Sequence, residues 1–280
     1  MKLIGEGRQS SCYSLDAGRV MLVAKNTEAF ENYKKQKVYF DILDDKVDFI
    51  EIPKNAELIE PCEKYPLGAM TISFVSGEPP KLETFSEKEK VKLGKQIAKF
   101  IYGFQKVGER LTKREVQAIQ EIETKTDAKA VDECLELLKK HFTFDEYKRL
   151  NEVSELYKKA VKDKTRILHH GDLNPANLAV DKNKNLVGVI DFEGVGFFIP
   201  EYKLKNQWKD ETVFSAVINE YHRLGGVLIC DKKFTEVCEI ITMMINLRRF
   251  YDFGDAFIDR RIGIIRKLLK EYFGSDIVDS

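Results

Sequence analysis

The stretch that decides how this chain is read is "ILHHGDLNPANLAV", residues 167–180, followed by "VGVIDFEGVG" at 187–196. It sets His170, Asp172 and Asn177 between two apolar runs, and the next apolar run ends on Asp191. Carboxylates and amides are poor core material unless they are paired or hold a metal. Pro175 lies between Asp172 and Asn177 and opposes a regular helix through the segment. Loop residues held in this way can converge on one point. "NLAV", the turn "DKNKN" and "LVGVID" read as the two strands of a hairpin, which returns Asp191 to the side of Asn177. Two oxygen ligands that close suit Mg2+, which takes few protein oxygens beside phosphate and water. Asp172 is then placed to accept a proton from an incoming hydroxyl.

Outward from this centre, the N-terminal part reads as strands. "MKLIGEG", "SSCYSLD" and "RVMLVAK" are short apolar or alternating runs broken by glycines and a "DAG" turn. A helix over "EAFENYKKQKVYFDILDD" follows, with Tyr33, Gln36, Phe40 and Leu43 on one face. "VDFIEIP", "AELIEP" and "GAMTISFVSG" return to strands, and "SGEPP" (76–80) is a connector. Ser86 and Glu89 form a capping box that opens a strongly periodic helix through Val107. Two amphipathic stretches near 127–142 and 144–162 follow. Residues 207–272 are again helical, apart from a turn at "LGGV" and the acidic-aromatic stretch "RRFYDFGDAFIDRR". The expected organisation is a small β-rich lobe, residues 1–76, and a larger mainly helical lobe, residues 77–280, with a ligand cleft between them.

The chain of 280 residues is 43% hydrophobic and 33% charged, which describes an ordinary globular protein. Forty-six basic residues balance forty-six acidic ones. That balance argues against a nucleic-acid partner, which calls for a basic excess. Cys12, Cys62, Cys134, Cys230 and Cys238 are widely spaced without a C-x-x-C, so neither a disulfide framework nor a zinc site is expected. No run approaches the roughly 20 apolar residues of a membrane span, and the N-terminus does not read as a signal peptide. A cytoplasmic protein is the expectation.

The pattern "H-x-D-L-x-P-x-N" followed by "D-F" resembles the catalytic loop and metal motif of kinases. Gly171 and Asn174 stand where protein kinases have arginine and lysine, and Glu193 replaces the glycine of their D-F-G. "HGDLNPAN … VIDFEGVGFFIP" is similar instead to the aminoglycoside phosphotransferase and choline kinase group of small-molecule kinases. Pro200 sits where that group commonly has proline, whereas Lys203 departs from its usual aspartate. The resemblance covers roughly residues 1–204. It implies an α+β, two-lobed, protein-kinase-like fold with an antiparallel sheet in the N-lobe. It also implies transfer of the γ-phosphoryl of ATP or GTP, with Mg2+, to a small-molecule hydroxyl.

On that resemblance Asp172 is the base, His170 braces the loop, and Asn177 and Asp191 hold Mg2+. Gly5, Gly7, Ser10 and Ser11 would approach the phosphates, and Lys25 would pair with them. Gln36 stands where the family places the lysine's helix glutamate, with Glu28 or Glu31 as shifted alternatives. Adenine would bond the main chain near Ser73 and Val75. Glu220, Asp252, Asp255 and Asp259, with Trp208, Tyr221, Phe250, Tyr251 and Phe253, are candidates for an acceptor pocket. Solvated acidic faces and core aromatics account for them better than either a polycation site or an aromatic cage, and the acceptor stays open among aminoglycosides, choline, sugars and others. Two other readings also stay open: an atypical protein kinase, and a kinase-shaped binding module with weak or no turnover, prompted by Gln36.

Overall fold

The computed structural model describes all residues except 17, 123–127, 163, 203, 205–207, 209, 227–231, 250, 252–254 and 275–280. The side chains of 128–129, 232, 249 and 255–256 are likewise left undescribed. Cys230, Lys203, Phe250, Asp252 and Phe253, and the side chain of Asp255, therefore lie outside the described residues.

Five strands form an antiparallel sheet: β1 (Lys2–Glu6), β2 (Ser10–Ser14), β3 (Arg19–Ala24), β4 (Glu57–Ile59) and β5 (Ala69–Ser73), in the order β1-β2-β3-β5-β4. The expected strand over "VDFIEIP" does not form. Residue Glu51 makes only an isolated parallel bridge to Gly188, because its main chain pairs with a later hairpin rather than with the sheet. Helix α1 (Thr27–Leu43) starts at Asn26, whose side chain accepts the Ala29 N–H, and buries Phe30, Tyr33, Gln36, Phe40 and Leu43.

The capping box is present: Ser86 Oγ accepts from the Glu89 N–H while the Glu89 carboxylate accepts from the Ser86 N–H. It opens α2 (Glu87–Glu109), which packs along α6 (Glu211–Arg223). That contact is close because Gly94 has no side chain: a Cβ there would lie 2.6 Å from the Ala216 Cβ. Between them come α3 (Lys113–Ile122), not foreseen from the sequence, α4 (Ala128–Leu138) and α5 (Phe144–Lys162). Strand β6 (Ile167–His169) pairs with β9 (Gly196–Phe198), and β7 (Leu178–Val180) with β8 (Leu186–Val189) as the expected hairpin. The chain ends in α7 (Lys232–Arg249) and α8 (Asp255–Phe273). Helix α8 takes in the end of the acidic-aromatic stretch that periodicity alone left irregular.

Two compact units result. The first comprises residues 1–123, 167–197 and 210–226; the second comprises 124–166, 198–209 and 227–280. The sheet, α1, α2, the hairpin and α6 all belong to the first, so residue 76 marks a connector within that unit. The second is a helical core in which Leu150, Tyr157, Ile241, Met244, Leu247 and Ile265 are buried together. No helix among the described residues is long and apolar enough to cross a membrane.

Candidate active site

Every main residue of the opening motif falls in the first unit. β6 carries His169 and His170 into the loop with both imidazoles buried. The Gly171 N–H donates to His169 Nδ1 at 2.8 Å and the Asp172 N–H to His170 Nδ1 at 3.4 Å. Since Nδ1 accepts, the His170 proton sits on Nε2, which faces the Ile190 carbonyl oxygen at 3.1 Å. The ring also stands edge-on to Phe192, centroids 4.7 Å apart. His170 thus links the loop 170–177 to the residue preceding Asp191 through a hydrogen bond, and to the residue following it through a ring contact.

The two loops also meet through bare backbone. Gly171 has φ +76°, and a Cβ there would lie 1.8 Å from the Gly194 carbonyl oxygen. That is the physical reason for glycine where protein kinases carry arginine: a side chain would drive the Asp191 loop away. Asp191 adopts the left-handed conformation, φ 64° and ψ 71°. Non-glycine residues take this conformation at a cost, with aspartate among the more tolerant, and such strain clusters at functional sites. Phe192, fully buried against Phe40 of α1 and Phe104 of α2, anchors the strained residue.

Asn177 closes the constellation. Its Nδ2 donates to the Asp172 carbonyl oxygen at 2.8 Å and to Asp172 Oδ2 at 3.2 Å, while its own carbonyl accepts the Ile190 N–H at 2.9 Å. Because Nδ2 is engaged by an oxygen that can only accept, the amide Oδ1 is the atom left for a hard cation. One amide oxygen and one nearby carboxylate are a fitting donor set for Mg2+. No group of three or more His, Cys, Asp or Glu able to hold a metal occurs among the described residues.

The N-terminal candidates are arranged differently. The Gly7 N–H donates to the Ser10 carbonyl at 2.8 Å, closing the turn between β1 and β2. Neither Gly5 nor Gly7 has a positive φ, and a Cβ on either would meet only ordinary contacts at 3.7 and 3.5 Å. The fold itself does not demand glycine there, and the bare loop leaves room for a ligand's approach. Ser10 turns to α1, its Oγ accepting from Tyr33 Oη at 2.5 Å.

Ser10 pairs with Ala24 and Ser11 with Val23. Side chains alternate along a strand, so Lys25 projects from the face opposite Ser10 and α1. Its Nζ donates to Glu6 Oε1 at 2.7 Å and to the Gly7 carbonyl at 2.8 Å. That hydrogen bond pulls the exposed Glu6 carboxyl below its usual range. Gln36, named from the sequence as the lysine's partner, does not meet it: the amide is buried on the inner face of α1. Glu31 pairs with Lys34 instead. Glu6 is the residue that the sequence reading missed, and its only signal there was its place between the two glycines.

At the end of β5, before the connector, the Ser73 N–H is taken by the Lys54 carbonyl at 2.9 Å and the Phe74 N–H by the Gly18 carbonyl at 2.8 Å. The N–H and C=O of Val75 have no intramolecular partner among the described residues, while its side chain packs on Gly188. Of the acceptor candidates, Glu220 is held by Arg223 at 2.7 Å, and Tyr221 bonds Gln105 in the core of the first unit. Trp208, fully buried, and Tyr251, bonded to His141 at 2.7 Å, belong to the second.

Residues 2–212 match the family described as "Phosphotransferase enzyme family". No curated protein matches the sequence. Solved structures share the fold. Wild-type aminoglycoside 2'-phosphotransferase-IIIa, in its GDP complex, is 16% identical with a TM-score of 0.75, covering 96% of this chain and 92% of that one. An aminoglycoside phosphotransferase of the 2''-IIa type, in ternary complex with streptomycin and ATP, is 15% identical with a TM-score of 0.70, covering 97% and 92%. The macrolide 2'-phosphotransferase MphH of Brachybacterium faecium, as apoenzyme, is 14% identical with a TM-score of 0.65, covering 96% and 92%.

Proposed function

The chain belongs to the phosphotransferase enzyme family and is a small-molecule kinase; from that premise we propose that it transfers the γ-phosphoryl group of ATP or GTP to a hydroxyl of a small molecule, with Mg2+. The observation that carries this reading is the direct linkage of Asp172 to Asn177, and of Asn177 to the residue preceding Asp191, through hydrogen bonds of 2.8 to 3.2 Å.

In this reading the acceptor hydroxyl approaches Asp172, which takes its proton as the oxygen attacks phosphorus in line with the leaving diphosphate. Asn177 Oδ1 and the Asp191 carboxylate would hold Mg2+, which when bound neutralises charge on the phosphate oxygens. His170 keeps the two loops in register. The β1–β2 turn lies over the phosphates, and the unengaged Val75 main chain receives the base. Lys25 is the candidate phosphate ligand and would leave Glu6 to serve it. A weakly active or inactive nucleotide-binding module is the second reading, and that same Lys25–Glu6 contact favours it.

Hydroxyl-rich antibiotics head the acceptor series because related structures are aminoglycoside and macrolide phosphotransferases. The test measures nucleoside diphosphate released from ATP and from GTP with Mg2+, across aminoglycosides, macrolides, choline and simple sugars. Turnover on one acceptor that vanishes in Asp172→Asn and Asp191→Ala is the expected result. Full activity in either variant would sink the assignment. Nucleotide binding with no turnover on any acceptor would favour the second reading.

A further inference from the structure

We propose that Asn174 is a positioning residue that fixes the Asp172 carboxylate for proton transfer, a role that rests on the reading of Asp172 as the base. Asn174 Oδ1 accepts the Ala176 N–H at 2.9 Å, capping the short turn Pro175–Asn177. A backbone N–H can only donate, so that amide atom is the oxygen, and the orientation of the group is settled. Its Nδ2 then necessarily faces Asp172, with Oδ2 at 3.1 Å and the main-chain carbonyl at 3.5 Å. The Asn174 N–H also donates to the Asp172 carbonyl at 2.9 Å. Asn177 Nδ2 reaches the same Oδ2 from five residues on, at 3.2 Å.

Two neutral amides therefore hold one carboxylate oxygen: Asn174 is held at its other end by the Ala176 N–H, and Asn177 Nδ2 donates also to the Asp172 main-chain carbonyl. This restrains rotation of the carboxylate about its own side-chain bonds. A side chain held by several donors stays close to its productive geometry, and small misplacements are costly in rate. Asn174 occupies the position at which protein kinases carry lysine. Here that position supplies a hydrogen-bond donor of no net charge, directed at the base.

The variant Asn174→Asp separates the two jobs of the side chain. Aspartate is as good a cap for the Ala176 N–H as asparagine, but it turns a second carboxylate on Asp172 in place of a donor. Turnover is followed as diphosphate release with Mg2+, on the best acceptor or, if none is found, with water as acceptor. A fall in kcat of tenfold or more is expected, with the nucleotide KM within about twofold and the Tm close to wild type; tenfold corresponds to about 1.4 kcal/mol in the barrier. A kcat within twofold of wild type overturns the proposal, as does a loss that follows the Tm. Asp172→Asn runs alongside: retained turnover there overturns the reading of the base itself, whereas lost turnover there with an unaffected Asn174→Asp overturns the positioning role alone.

A second measurement needs no turnover. Solvent exchange of the Asn174 side-chain amide, read by NMR, is slow in wild type and accelerates in Asp172→Ala if the contact holds. Equal exchange in the two proteins overturns it.

Discussion

The loop 170–177 with its hairpin and the glycine turn with its lysine both carry site residues expected from the sequence, yet they are built in different ways. In the first, each decisive contact spans few residues or crosses one hairpin: Asp172 to Asn177, Asn177 to Ile190, His170 to Ile190. In the second, the expected contact ran from a strand to a helix, and strand alternation carries Lys25 to the other face of the sheet. Local hydrogen bonds among loop residues are nearly determined by residue type and spacing. The partner of a long, exposed lysine is set by tertiary register and by weak competition between carboxylates.

Four variants or conditions test that contrast, in falling order of effect. Gly171→Ala is the most severe, since its Cβ would lie 1.8 Å from the Gly194 oxygen at a φ of +76°. Loss of turnover and a clearly lowered Tm are expected; normal activity would mean that the two loops need not touch. Phe192→Ala comes next. It empties a fully buried site among Phe40, Phe104 and His170, for a loss of about 3–5 kcal/mol by urea denaturation. A loss under about 1 kcal/mol would show that the Asp191 loop is not anchored by the core.

Glu6→Gln probes the other region. Removing an exposed competitor for Lys25 should tighten ATP or GTP binding about threefold by calorimetry. Weaker binding would make Glu6 a holder of the lysine rather than its competitor.

The smallest effect concerns acid. Ser86 first, then Lys184 of the hairpin turn, hold the Glu89 carboxyl down at about 2, against about 4.5 for the unperturbed group. A depressed folded value gives stability that is complete above the unfolded value and lost as pH falls through the folded one. Between pH 4.5 and 2 the urea midpoint of wild type should therefore fall more steeply than that of Glu89→Gln. Parallel curves would remove the contact between α2 and the hairpin turn from consideration.

Much of this was legible beforehand. The Ser86–Glu89 box, the hairpin at 178–189 and the inward face of α1 follow from period, capping and turn chemistry, and all are present. The "VDFIEIP" strand was not, because apolar alternation says that a segment is extended but not which edge will pair with it. The main chain of Glu51 found the hairpin instead. Helix α3 was missed because it is short and buries only Ile119. The roles of Glu6 and Asn174 were out of reach of residue type alone. Each depends on the atom that the side chain happens to face.

One junction bears on how this chain can vary. Glu78 and Val180 exchange two main-chain hydrogen bonds, at 3.1 and 2.8 Å, and Glu51 bonds both Val187 and Val189 through its backbone. These main-chain stitches join the segment before β4, the connector and the β7–β8 hairpin, and the Glu51 carboxylate adds one side-chain bond by accepting the Ser76 N–H at 3.2 Å. Any replacement except proline at 51, 78 or 180 keeps these main-chain groups, whereas adding or deleting a residue beside Glu78 puts its pair with Val180 out of register. Gly77, with φ +119° and the Val180 oxygen 2.9 Å from where a Cβ would be, is the exception that cannot drift. Within this junction the main-chain bonds constrain spacing more strictly than side-chain identity. Two proteins could thus keep the same site at very low sequence identity.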